Sequence, residues 1–130
     1  MSKYKSQYTG PQIDAGIRPY KVYTALLSQS GANAPVATIL ENTLGTITFS
    51  RIINGYYAAS GTAGMFPVGK TFVIFNPALT TGPGIVSYNV FRGDNDIFLY
   101  TFKWNLTPDE NFTQNDDIMT NSYLEIRVYP

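Results

Sequence analysis

The stretch GMFPVGKT at 64–71 fits the spacing G-x-x-x-x-G-K-[ST]. In a phosphate-binding loop that spacing turns backbone amides toward phosphate between a strand and a helix, and the lysine and hydroxyl residues reach phosphate and Mg²⁺. Here Thr71 is followed by FVIFNP, a strand-like run ended by a proline. No helix begins there, so the amide cradle and the helix dipole are both missing. The stretch reads as a turn between strands with Lys70 at its edge. Proton transfer and nucleophilic attack have few candidates. The chain has no histidine and no cysteine, which removes Ser-His-Asp and Cys-His arrangements, disulfides and thiolate metal sites. Two carboxylates could still serve glycoside hydrolysis. The candidates are Asp94 with Asp96, or Asp109, Glu110, Asp116 and Asp117, all in polar, turn-rich stretches where Asp ordinarily caps or solvates. DND at 94–96 and NDD at 115–117 offer oxygens to Ca²⁺ but lack the full ligand spacing of a calcium loop. The sequons at Asn105 and Asn111 matter only on a glycosylating secretory path. The reading is a non-enzyme with no cofactor and no metal.

Contact is the chemistry left. Tyrosine and tryptophan supply large contact area at low entropic cost and recur at interfaces. Tyr56, Tyr57, Phe66, Trp104 and Phe112 lie near expected loops and are the candidates for exposed aromatic contacts. Formal charge is balanced, with nine basic and nine acidic residues. A nucleic-acid partner is not expected, because it calls for a basic surface that replaces counterions. No apolar run approaches the ~20 residues of a membrane helix, and the first ten residues, MSKYKSQYTG, have no apolar core of a secretion signal. The expectation is a protein made in the cytoplasm, without membrane insertion.

The elements that must position these residues are strands. Eleven glycines and eight prolines punctuate short runs rich in aromatic and β-branched residues, the pattern of an all-β domain. YKVYTALL (20–27) places Tyr20, Val22, Thr24 and Leu26 on one face and Lys21, Tyr23, Ala25 and Leu27 on the other. VATILE (36–41) follows, then TITFSRII (46–53) and YYAAS (56–60) around Asn54-Gly55, a type I′ hairpin signal. KTFVIFN (70–76) is apolar almost throughout and reads as central. IVSYNVFR (85–92) and DIFLYTFKW (96–104) flank a compact turn, and NLTPDENFTQNDD (105–117) reads as a long acidic loop. SYLEIRVYP (122–130) closes the fold, with Leu124, Ile126 and Val128 on one face and Glu125, Arg127 and Tyr129 on the other. That second face is a candidate subunit contact. The spacing of about eight strands predicts an antiparallel β-sandwich, jelly-roll-like, over 20–130.

Residues 1–19 stand apart. Gly10-Pro11, Gly16 and Pro19 break any ladder, so the segment reads as an extended N-terminal arm or linker. A segment of this kind either stays a loose chain end or gains buried area by lying on a partner, in which case Tyr8, Ile13 and Ile17 would be its anchors.

Tyr20-Lys21-Val22-Tyr23, Glu41-Asn42-Thr43-Leu44-Gly45, Gly69-Lys70-Thr71-Phe72 and the ending Leu124 to Pro130 occur in an order spanning 20–130. In that order they resemble a small β domain of bacteriophage virion proteins, of head-fibre, capsid-associated, spike and tail-fibre type, particularly in phages of Bacteroidetes hosts. YTGPQIDAGI (8–17) is similar to a short motif, Y-x-G-x-x-I-D, at the starts of phage appendage proteins. The resemblance implies a virion structural protein whose arm docks on a neighbouring subunit. Its implied partners are itself, as a homotrimer, and another virion protein such as a capsid or penton-type protein. Since no long coiled or repeated shaft is present, it implies a compact spike, decoration or capsid-associated subunit. The alternative is a module binding a host surface glycan or receptor. Under either reading Tyr56, Tyr57, Trp104, Phe112, Arg127 and Tyr129 are the contact candidates.

Overall fold

The computed structural model describes residues 19–76, 86–105 and 111–130. Nine strands run in chain order: β1 Lys21–Ser28, β2 Val36–Asn42, β3 Thr48–Ile53, β4 Tyr56–Ser60, β5 Thr71–Asn76, β6 Val86–Arg92, β7 Asp96–Asn105, β8 Asn111–Gln114 and β9 Ser122–Val128. They form two antiparallel sheets, one ordered β2-β1-β9-β5, the other β3-β4-β7-β6 with β8 also on β7. The fold is an all-β sandwich. Its core lies where the alternation of each strand turns apolar groups inward: Tyr23, Ala25 and Leu27 of β1, Leu124 and Ile126 of β9, Tyr57 and Ala59 of β4, and Ile97 and Leu99 of β7 are all buried. Register locks them in rows, with Tyr23 opposite Ile126, Ala25 opposite Leu124 and Tyr57 opposite Leu99. Phe66, from the loop before β5, fills the same core.

Four expectations need correction. KTFVIFN is not central: β5 pairs only β9 among the described residues and stands at a sheet edge. Its apolar run is only half buried, since Phe75 points inward while Phe72 is 61% exposed. The last strand, conversely, is interior, between β1 and β5. The Asn54-Gly55 turn is not type I′, which needs positive φ at both positions; only Gly55 has it, at 71°. The side chain of Asn54 is instead held by the segment after β8, donating to the Gln114 carbonyl at 3.1 Å and accepting from the Asp116 amide at 2.7 Å. Glycine is required at 55 because a Cβ there would sit 2.5 Å from the Asn115 nitrogen. Finally, the acidic loop at 105–117 contains β8, whose residues 111–114 pair with 102–105 of β7.

Two core hydroxyls, Tyr23 Oη and Ser122 Oγ, are buried with no hydrogen-bond partner among the described residues. Burial raises the Tyr23 phenol pKa. An unsatisfied buried hydroxyl costs roughly 1–3 kcal/mol of desolvation. Tyr23→Phe is therefore expected to raise unfolding stability by about 1 kcal/mol, since it removes that cost and keeps the ring against Phe49. Urea unfolding of the two proteins measures this, and a clear loss of stability would reveal a partner for the hydroxyl.

Candidate interaction surfaces

The segment 64–71 is a loop, not a phosphate cradle. Lys70 closes a turn, with its amide donating to the Pro67 carbonyl at 3.3 Å, and the Thr71 hydroxyl donates to the same carbonyl at 2.9 Å. Thr71 then opens β5. The described carboxylates are scattered. Asp96 accepts from Ser60 Oγ at 2.5 Å, and Asp117 accepts from the Gly31 amide at 2.6 Å. Among the described residues no three acidic groups gather as a metal site. Asp109 and Glu110 lie outside the described residues, as do Tyr8, Ile13 and Ile17 of the arm.

Asp116 has the densest set of partners. Its carboxylate accepts from Arg51 Nε at 3.0 Å and Nη2 at 2.7 Å, from the Gly55 amide at 2.9 Å and from the Tyr57 hydroxyl at 2.5 Å. Burial pushes this carboxyl up, but the bonds from Arg51, Gly55 and Tyr57 and the Arg51 charge outweigh it and hold the pKa at about 2. The Tyr57 phenol is driven far above its ordinary range, first by burial and then by its bond to Asp116. Gln29 extends the network, its Oε1 accepting from the Asp117 amide at 2.8 Å and lying 3.0 Å from the Tyr57 oxygen as an alternative acceptor. Its Nε2 donates to the Gly31 and Asn33 carbonyls. Three loops, β1–β2, β3–β4 and β8–β9, are thereby tied together at one end of the sandwich. These partners all come from within the molecule, and the network acts as a structural latch.

Tyr57 is thus corrected from an exposed contact to a core residue, and so is Phe66; both are fully buried. Adjacent aromatics on one strand must face opposite ways, and of Tyr56-Tyr57 it is Tyr56 that faces out. On the outer face of its sheet Tyr56 stacks on its register partner Tyr100, with centroids 4.4 Å apart and planes within 9°. Phe98 lies 5.7 Å from Tyr56, and Phe102 stacks on Tyr100 at 6.4 Å. A hydrogen bond to Tyr100 raises the Tyr56 pKa. Trp104 and Phe112 are backbone register partners of β7 and β8. The ladder at 98, 100 and 102 escaped a reading centred on loops, although its period of two within DIFLYTFKW marks one sheet face.

Arg127 and Tyr129 lie on the other sheet, at its opposite end. Tyr129 packs against Tyr20 at 5.0 Å and meets Phe72 edge-on at 5.8 Å. The Arg127 guanidinium sits 4.9 Å from the Tyr20 centroid, a cation–π distance. It also pairs with Glu125, which accepts a bond from the Tyr123 hydroxyl. Glu125 is only 8% exposed on what is formally an outward face. Its bond raises the pKa of both Arg127 and Tyr123. The contact candidates therefore fall into two groups, one on each sheet and at opposite ends, rather than into one site.

Comparison with known protein families, with curated proteins and with solved structures finds no match for this chain.

Proposed function

We propose that this chain is a non-catalytic structural subunit of a bacteriophage particle, a compact spike, decoration or capsid-associated protein that works through protein–protein contacts. The particle assignment rests on the ordered motifs from Tyr20 to Pro130 and on the arm motif at 8–17. The contact mode rests on one observation: aromatic clusters cover parts of both outward sheet faces, where a monomer would carry polar groups. A glycan binds aromatics by laying a sugar face over an open ring face. Tyr56 and Tyr100 each cover one ring face against the other at 4.4 Å, and one face of Tyr20 lies under Arg127. That leaves less open ring face for a sugar and more ring edge for a partner, which favours protein over sugar. Assembly as three copies is what the resemblance implies.

The test is co-purification. Particles banded by density, washed in high salt and probed by immunoblot are expected to carry the chain in fixed ratio to the major capsid protein. Recovery of the chain only from the soluble fraction overturns the reading.

A further inference from the structure

The outer face of the β2-β1-β9-β5 sheet ends in a corner of exposed apolar groups beside the Arg127–Glu125 pair. Phe72 is 61% and Ile74 37% exposed, and the rings of Phe72, Tyr129 and Tyr20 touch in series across it. Among the described residues the adjoining edge of β5 pairs with no further strand. β5 pairs β9 in unbroken register from Thr71 to Asn76 and carries neither charge nor proline. β2, at the other edge of the sheet, has a register shift opposite Thr24/Ala25, a device that blunts edge association. No described residue covers the β5 corner.

The described residues begin beside this corner: Pro19 and Tyr20 line a shallow pocket with Val128, Tyr129 and Pro130, and Tyr20 packs on Tyr129. Residues 8–17 supply Tyr8, Ile13 and Ile17 as apolar groups. The sole acid of the first nineteen residues, Asp14, falls between the two isoleucines. The exposed Lys21 and Lys70 flank the corner and complement that charge. Gly10-Pro11 and Gly16 suit docking by side chains rather than by a full ladder.

We propose that residues 8–17 of one copy dock on the Tyr20–Phe72–Ile74–Tyr129 corner of a second copy. This rests on the reading of the chain as an assembly subunit and adds the partner and the surface. The chain has no cysteine, so single thiols report cleanly. Full-length protein with Ile13→Cys is mixed with a size-tagged full-length protein carrying Phe72→Cys and mildly oxidised; Ile74→Cys serves as a second site, and circular dichroism confirms that each variant is folded. A disulfide forms only where the Cα atoms come within about 7 Å. The expected result is a linked heterodimer on a non-reducing gel, weakened by about tenfold when the arm also carries Ile17→Asp. Ring closure within a single chain carrying both thiols, without linkage of the mixed single variants, puts the arm on its own sheet and overturns the proposal. So does absence of linkage at both sites. In that case, if deletion of residues 1–18 still blocks incorporation into particles, the structural role stands and the arm's partner is a different virion protein.

Discussion

On the proposed reading, deletion of residues 1–18 is expected to leave the sandwich folded and to abolish incorporation of the chain into phage particles. The first half follows from the ladders. β1 starts at Lys21, and its pairings with β9 and β2 use only residues from Lys21 onward. The core residues all lie at or after position 23. Truncation before Pro19 touches none of these, so the thermal midpoint should stay within a few degrees of the full chain. The second half follows from what the arm contributes. Ile13 and Ile17 are each worth roughly 1.5–3 kcal/mol when fully buried, and part of that offsets the entropy of ordering the arm. Loss of both leaves a deficit of at least one tenfold step in affinity per arm, about 1.4 kcal/mol, multiplied where several arms hold one assembly. Ile13→Asp with Ile17→Asp should mimic the truncation, since it places charge where the arm would be buried. The measurement is an immunoblot of particles grown with the truncated chain. Undiminished incorporation shows that attachment runs through the sheet faces alone.

Alternation along the strands made most of the sandwich readable. β1 and β9 carry their inward residues at every second position, and Tyr23, Ala25, Leu27, Leu124 and Ile126 are all core. Alternation assigns a face but not a neighbour. It could not tell that β5 is an edge or that β9 is interior, because strand order depends on which distant strand pairs with which. β8 was hidden because NFTQ is polar and short. It exists because the ten-residue β7 runs beyond β4 and leaves backbone groups at 102–105 to be paired. Asp116 gave no local signal either, since Arg51 and Tyr57 are 65 and 59 residues away in sequence. The aromatic ladder was the opposite case. Its period-two spacing at 98, 100 and 102 is present in the sequence and marks one sheet face.

Asp116→Ala is expected to destabilise the fold by about 3 kcal/mol at neutral pH, a large share of the ~5–15 kcal/mol of a typical domain. The carboxylate side chain is 12% exposed, and its removal strands the Tyr57 hydroxyl, the Gly55 amide and the Arg51 guanidinium together. Tyr57 keeps one alternative, Gln29 Oε1 at 3.0 Å, which keeps the cost at the low end. The same carboxylate gives a pH signature. Its folded pKa of about 2 lies below the ordinary 3.8. A lowered folded value means that the contribution is complete above about pH 4 and is lost as pH falls from there toward 2. Integrated over that interval and discounted for partial exposure, it amounts to about 2 kcal/mol. Urea unfolding at pH 7, 4 and 2.5 should therefore show wild type converging on Asp116→Ala as the pH falls. An unchanged gap at pH 2.5 would show that the latch does not titrate in that range. The consequence reaches the surface through Gly55. That residue takes its positive φ with its amide held by Asp116, and the next residue, Tyr56, is the ring that stacks on Tyr100. Loosening the latch should therefore disorder the outer aromatic ladder before the core itself opens, and tyrosine ring NMR signals of the variant at neutral pH can follow that order of events.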